Sequence, residues 1–290
     1  MNPSLYAEQT LNGVQFGVML FLMSAGLTLV FGIMNLINLA HGSLYMTGAY
    51  LAATLYRVTG QFVLSFLGAA LLTGVVGVLL ERVLLRRFYS RTHLDQVLVT
   101  FGLILVFNET ARMIWGPVPV PLPLPAALAG SVTLLPGLVY PTFRLVILAV
   151  GLVVAAGLYG VIVHTRVGMW VRAGASNRAM TAAMGVDVEL VFVLVFGAGA
   201  ALAGLAGMMA GPISAVQVGM GDPILVLALV VTVIGGIGSV RGALVAALMI
   251  GIVDTLGRIV LPPALGSMAI YILMAAILAW RPTGLFPVHG

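Results

Sequence analysis

Gly26-Leu-Thr-Leu-Val-Phe-Gly-Ile-Met-Asn35-Leu-Ile-Asn38-Leu-Ala-His41-Gly42 decides how this chain is read. An apolar helical stretch runs into two asparagines, a histidine and flanking glycines, then resumes as apolar sequence from Leu44. Polar side chains and interrupted backbone at membrane depth are costly unless they face protein or water. Transporters use such discontinuous helices to line a path.

The sequence on either side belongs to a membrane. Of 290 residues, 61% are hydrophobic and only 7% charged, with a mean hydropathy of +1.18. A soluble domain carries about 25% charged residues. The composition therefore specifies an all-α, polytopic transmembrane helix bundle with broken helices. Its length suits a single integral-membrane domain over residues 1–290, with roughly eight or nine spans of about 20 residues each. Spans are predicted near 11–32, 36–56, 62–80, 96–115, 143–164, 190–210, 223–240, 242–261 and 267–280. The N-terminal residues 1–9 carry no positive charge and lead into a long span, unlike a cleaved secretory signal.

All 13 basic residues are arginine. Nine of them (Arg82, Arg86, Arg87, Arg91, Arg166, Arg172, Arg178, Arg241 and Arg281) fall on one side of a nine-span arrangement, and four (Arg57, Arg112, Arg144 and Arg258) on the other. The positive-inside rule makes the rich side cytoplasmic, with the N-terminus outside. The net charge of +5 is thus read as topology rather than nucleic-acid binding. Without lysine the chain lacks the P-loop residue that grips the β- and γ-phosphates. ATP-driven transport would need another subunit to hydrolyse ATP.

Enzymatic readings find little support. No cysteine is present, which removes disulfides, thiolate metal sites and a cysteine nucleophile. Ser43 lies two residues from His41, yet no nucleophile-elbow pattern surrounds a serine. One histidine beside two amides is a poor metal-ligand set. Asn35, Asn38 and His41 recur every third residue and would share a face if that stretch is helical. They either line a polar path or satisfy backbone groups freed at the break. Glu109 with Arg112, and Asp254 with Arg258, have helical spacing and either neutralise one another or border the path.

Small residues recur every fourth position at Gly199, Ala203, Gly207 and Gly211, and again at Ala243, Ala247 and Gly251. Such stripes let helices approach closely in lipid. Residues 30–48 and 233–251 both place a glycine-rich interruption between two spans, the pattern of a transporter built from two similar halves. Alternating prolines from Pro117 to Pro125 exclude helix and predict a stiff extended loop outside the membrane. That loop reads as a cap over helix ends or as a contact surface for a soluble partner. The longest polar segment, residues 165–189, holds a short amphipathic helix that Ser176 or Asn177 can cap and Gly185 can end. Ala179, Met180, Ala183 and Met184 form its apolar face, suited to a partner's groove or to lipid headgroups.

The chain resembles the permease subunits of bacterial ATP-binding-cassette importers for branched-chain amino acids. The resemblance rests on Ile37-Asn-Leu-Ala-His-Gly42, Leu80-Glu-Arg82, Thr100-Phe-Gly-Leu103, Ala111-Arg-Met-Ile-Trp-Gly-Pro117, Thr165-Arg-Val-Gly168, the 172–185 loop, Gly235-Gly-Ile-Gly-Ser239 and Arg281-Pro-Thr-Gly-Leu-Phe286. It implies a multi-pass protein of the bacterial inner membrane that pairs with a second homologous permease or a copy of itself. It further implies two cytoplasmic ATPase subunits that consume ATP, a periplasmic solute-binding protein and no cofactor on this chain. Arg172, Ser176, Asn177, Arg178, Ala182, Ala183 and Gly185 would then dock on an ATPase, with Asn35, Asn38 and His41 on the substrate path. Thr181 stands where the family loop often has an acidic residue. The rival reading is a stand-alone channel or secondary carrier for a small polar solute such as urea or an amide.

Overall fold

A computed structural model describes residues 3–286; Met1 and Asn2, part of the N-terminal stretch without positive charge, lie outside the described residues. Apolar residues in long runs between arginine-bearing ends fold as helices, because helices satisfy their own backbone in lipid. The order is α1 (Pro3–Met34), α2 (His41–Thr59), α3 (Phe62–Val83), a 3-10 turn (Leu85–Phe88), α4 (His93–Trp115), β1 (Ser131–Leu135), β2 (Leu138–Pro141), α5 (Thr142–His164), α6 (Arg166–Ser176), α7 (Arg178–Ala183), α8 (Val188–Ser214), α9 (Gly221–Gly235), α10 (Val240–Val260) and α11 (Pro263–Trp280).

Among the described residues, seven helices are long and apolar enough to cross a membrane: α1, α3, α4, α5, α8, α10 and α11. The other two predicted spans differ from expectation. With 15 residues, α9 reaches about 22 Å, short of a hydrocarbon core of about 30 Å. The second span starts at His41 rather than residue 36, and α2, though 19 residues long, is less apolar than the seven spanning helices. Inside the bundle α2 packs against α8 and α3, and α9 against α10 and α1, so neither needs a span's full lipid-facing surface.

Helix α1 is the axis of the bundle and packs against α10, α8, α9 and α5. Close approach depends on glycine. A Cβ on Gly17 would stand 2.7 Å from the Ala247 carbonyl oxygen, and one on Gly26 would stand 2.6 Å from that of Gly199. The small stripe of α10 receives α1, while that of α8 receives α1 at Gly199 and α2 at Gly207, where dispersion and close backbone contact replace the hydrophobic drive. The two glycine-rich interruptions also meet, Gly32 of α1 lying against Gly238 in the α9–α10 turn. Buried hydroxyls add a polar tie between α1 and α9, with Thr28 and Thr232 3.0 Å apart.

The proline-rich loop is extended, as its prolines require, and forms a backbone bridge between Val120 and Val216. It also feeds a hairpin absent from the sequence reading: β1 and β2 pair antiparallel across the Pro136-Gly137 turn. Every residue of β1 is exposed.

Candidate functional site

Helix α1 stops because Asn35 takes a left-handed conformation, with φ +52°. Asparagine tolerates this region better than other side chains. Its N–H still donates to the Phe31 carbonyl at 2.9 Å, after which residues 36–40 run non-helically to α2. The shared helical face for Asn35, Asn38 and His41 therefore does not form. Asn35 is exposed, whereas Asn38 and His41 are buried.

His41 sits at the first position of α2, with Nε2 3.2 Å from the Met23 carbonyl oxygen. That carbonyl can only accept, so Nε2 carries the proton and Nδ1 presents a lone pair. Nδ1, both amide atoms of Asn38 and the Ser43 hydroxyl are buried without a hydrogen-bond partner among the described residues. Each such atom costs about 1–3 kcal/mol.

Two residues of α4, overlooked as site residues in the sequence, hold the broken segment in place. The Gln96 carboxamide oxygen accepts from the Ile37 N–H at 3.4 Å, and the Thr100 hydroxyl lies 3.4 Å from the Ile37 carbonyl oxygen. Both side chains are buried. The available signal was a polar pair spaced by four in an apolar helix.

The polar segment after α5 folds as its capping residues require. Thr165 caps α6 by accepting from the Gly168 N–H at 3.2 Å, and Asn177 caps α7 by accepting from the Met180 N–H at 2.9 Å. Gly185 follows in the left-handed region, φ +83°, where a Cβ would be strained. Ser176 ends α6 and does not cap α7. On α7 the apolar face points away from the protein: Met180 is 62% exposed, Met184 78%, and Ala182 and Ala183 are exposed beside them. Thr181 is buried and donates to the Asn177 carbonyl, so the position that departs from the family pattern faces inward.

Arg178 joins this helix to the break. Its guanidinium donates to the Ile33 carbonyl at 2.9 Å and lies 4.8 Å above the Phe192 ring. Ile33 is in the last turn of α1, where carbonyls have no helical partner and a cation is favoured. Burial pulls the Arg178 pKa below its ordinary value, yet an arginine remains cationic. Beneath Phe192 lies a second polar group. Fully buried Glu81 accepts from the Tyr89 hydroxyl at 2.8 Å, and Arg86 bridges Glu81 at 3.5 Å and Glu189 at 2.8 Å. Burial first, and the Glu81 carboxylate second, push the Tyr89 phenol above its ordinary pKa, so it stays a donor. Arg172, by contrast, turns from α6 toward the α5 backbone and donates to the Ile162 carbonyl.

An all-α polytopic bundle whose axial helix is interrupted by buried polar residues, with a surface helix tied to that interruption, defines a membrane transport protein. A family profile described as "Branched-chain amino acid transport system / permease component" matches residues 9–278. The chain belongs to that family and is a multi-pass permease component. It is 29% identical to the high-affinity branched-chain amino acid transport system permease protein BraD of Pseudomonas aeruginosa, over 97% of this chain and 95% of that one. The LivH permease protein of Escherichia coli K12 is 26% identical with the same coverage. A probable LivH permease of Methanocaldococcus jannaschii is 27% identical over 86% of this chain and 80% of its own. No solved structure matches the chain.

Proposed function

We propose that this chain is the membrane subunit of an ATP-driven importer that carries branched-chain or related amino acids from a periplasmic binding protein to the cytoplasm. It works as one integral-membrane domain, beside a second homologous permease or a copy of itself, in the cytoplasmic membrane. Two cytoplasmic ATPases supply the energy and use the ATP, so the chain itself catalyses no reaction and binds no cofactor.

The carrying observation is the hydrogen bond from Arg178 to the Ile33 carbonyl, which ties α7 to the end of α1 two residues before the break. Exposed Met180 and Met184 give α7 an adaptable apolar face for an ATPase groove. In this reading Asn177, Arg178, Ala182, Ala183 and Gly185 form and orient the docking helix, with Arg172 and Ser176 bracing it from α6. A push on α7 acts on α1 through Arg178. The unpartnered atoms of Asn38, His41 and Ser43 favour a second arrangement of the break that pairs them, and Asn35 marks its hinge. Alternation between two arrangements requires that nucleotide-bound ATPase contact them differently.

Transport in proteoliposomes of the purified complex tests the proposal, comparing radiolabelled leucine with urea, with and without ATP and a candidate binding protein. ATP-dependent leucine uptake that disappears in an Arg178→Gln variant supports it. Uptake independent of ATP and unchanged in that variant sinks it in favour of a channel or carrier.

A further inference from the structure

A cavity of about 620 Å³ opens at the cytoplasmic end of the bundle between α1, α5, α6 and the start of α10. Its walls reach from Arg172 on α6 and Arg241 on α10 down to Phe21 of α1. Phe21 lies 12 residues before Ile33 along α1, so the trough is about 18 Å deep. Below the rim the walls are apolar, formed by residues such as Phe21, Ala155 and Leu244, and no aspartate or glutamate lines it.

The two guanidinium groups are held at the mouth. Arg241 donates to the Tyr159 hydroxyl at 2.8 Å and stacks over its ring at 4.8 Å, while Arg172 donates to the Ile162 carbonyl. These contacts use one N–H of each guanidinium, and an arginine carries five. A soluble polypeptide reaching Phe21 would have to bury backbone within the hydrocarbon layer, whereas an amphiphile with an anionic head and a long apolar tail matches both halves of the cavity. We infer that this cavity is a binding site for an anionic phospholipid of the cytoplasmic leaflet, its phosphate on Arg172 and Arg241 and one acyl chain in the trough. Basic pockets between membrane helices on the cytoplasmic side have this chemistry, and arginine binds phosphate oxygens through paired donors. The lipid would lie directly beneath α6, bracing the segment that leads into α7.

The test uses the full-length chain with its co-purifying subunits in mild detergent, and reads retained lipid by native mass spectrometry, independently of transport. Phosphatidylglycerol, phosphatidylcholine and soluble glycerol 3-phosphate are offered in turn. Phosphatidylglycerol is expected to be retained about tenfold better than phosphatidylcholine: both carry the phosphate, but only phosphatidylglycerol leaves a net negative charge beside the two arginines. An R172Q/R241Q double variant should abolish that preference. Ala155→Trp, which fills the trough but keeps both arginines, should lower retention of both lipids. Arg57→Gln, on the opposite side of the membrane, should change neither. Equal retention of the two lipids overturns the inference, as does retention that survives both the double variant and Ala155→Trp. Displacement of the lipid by glycerol 3-phosphate at equal concentration also overturns it, because the site would then recognise the head alone.

Discussion

Arg178 makes two contacts that a glutamine cannot reproduce: a charge-assisted bond to the Ile33 carbonyl and a cation–π stack on Phe192. Arg178→Gln is expected to weaken the α7–α1 tie by about 1.5–3 kcal/mol. The variant should insert and assemble normally, measured by size-exclusion chromatography, while ATP-driven uptake falls. Tyr89→Phe tests the neighbouring group. It removes the hydroxyl that donates to fully buried Glu81, leaving a carboxylate oxygen to Arg86 alone. The expected loss is about 1–3 kcal/mol, visible as a lower melting temperature in detergent.

Elements are held by what their glycines permit. A Cβ at Gly26 would meet the backbone of Gly199, while one at Gly102 on α4 would meet nothing within 4 Å. Gly26→Val should therefore force α1 from α8 and cost about 1–3 kcal/mol or prevent accumulation in the membrane. Gly102→Ala should be neutral or stabilising by up to about 1 kcal/mol, since alanine is the better helix former. Thermal unfolding of the two variants separates close packing from helix propensity. At the surface, α7 has only six residues and depends on its cap. Asn177→Ala should cost it about 1 kcal/mol of local stability, read as faster amide exchange in residues 178–184 with no change in the buried helices.

The whole molecule makes a claim about sides. The absence of cysteine makes the native chain a background for single-cysteine labelling. Met184→Cys on the exposed face after α7 should react with a membrane-impermeant maleimide only when the cytoplasmic side is open. Leu135→Cys, 60% exposed in the native residue at the end of β1, should react from outside in intact cells. Labelling of both positions from the same side would overturn the topology derived from the arginines. Sequence alone carried the membrane class, the interruption after α1 and the capped helix near residue 180, and it supplied the expectation of sides that the labelling checks, because each follows from local chemistry. Apolar runs must be helical in lipid, arginines bias their loops to one side, and Asn177 and Gly185 act on backbone within a few residues. Only the tertiary structure decided what the interruption touches. The bond from the Ile37 N–H to Gln96 joins residues 59 positions apart, the contact of Thr100 with the Ile37 carbonyl spans 63, and the bond from Arg178 to Ile33 spans 145. The inward turn of Thr181 and the burial of Asn38 and His41 away from exposed Asn35 likewise depend on neighbours brought in from distant parts of the chain. Local composition sets which segments enter the bilayer, but the pairing of buried polar groups is fixed only when the helices pack.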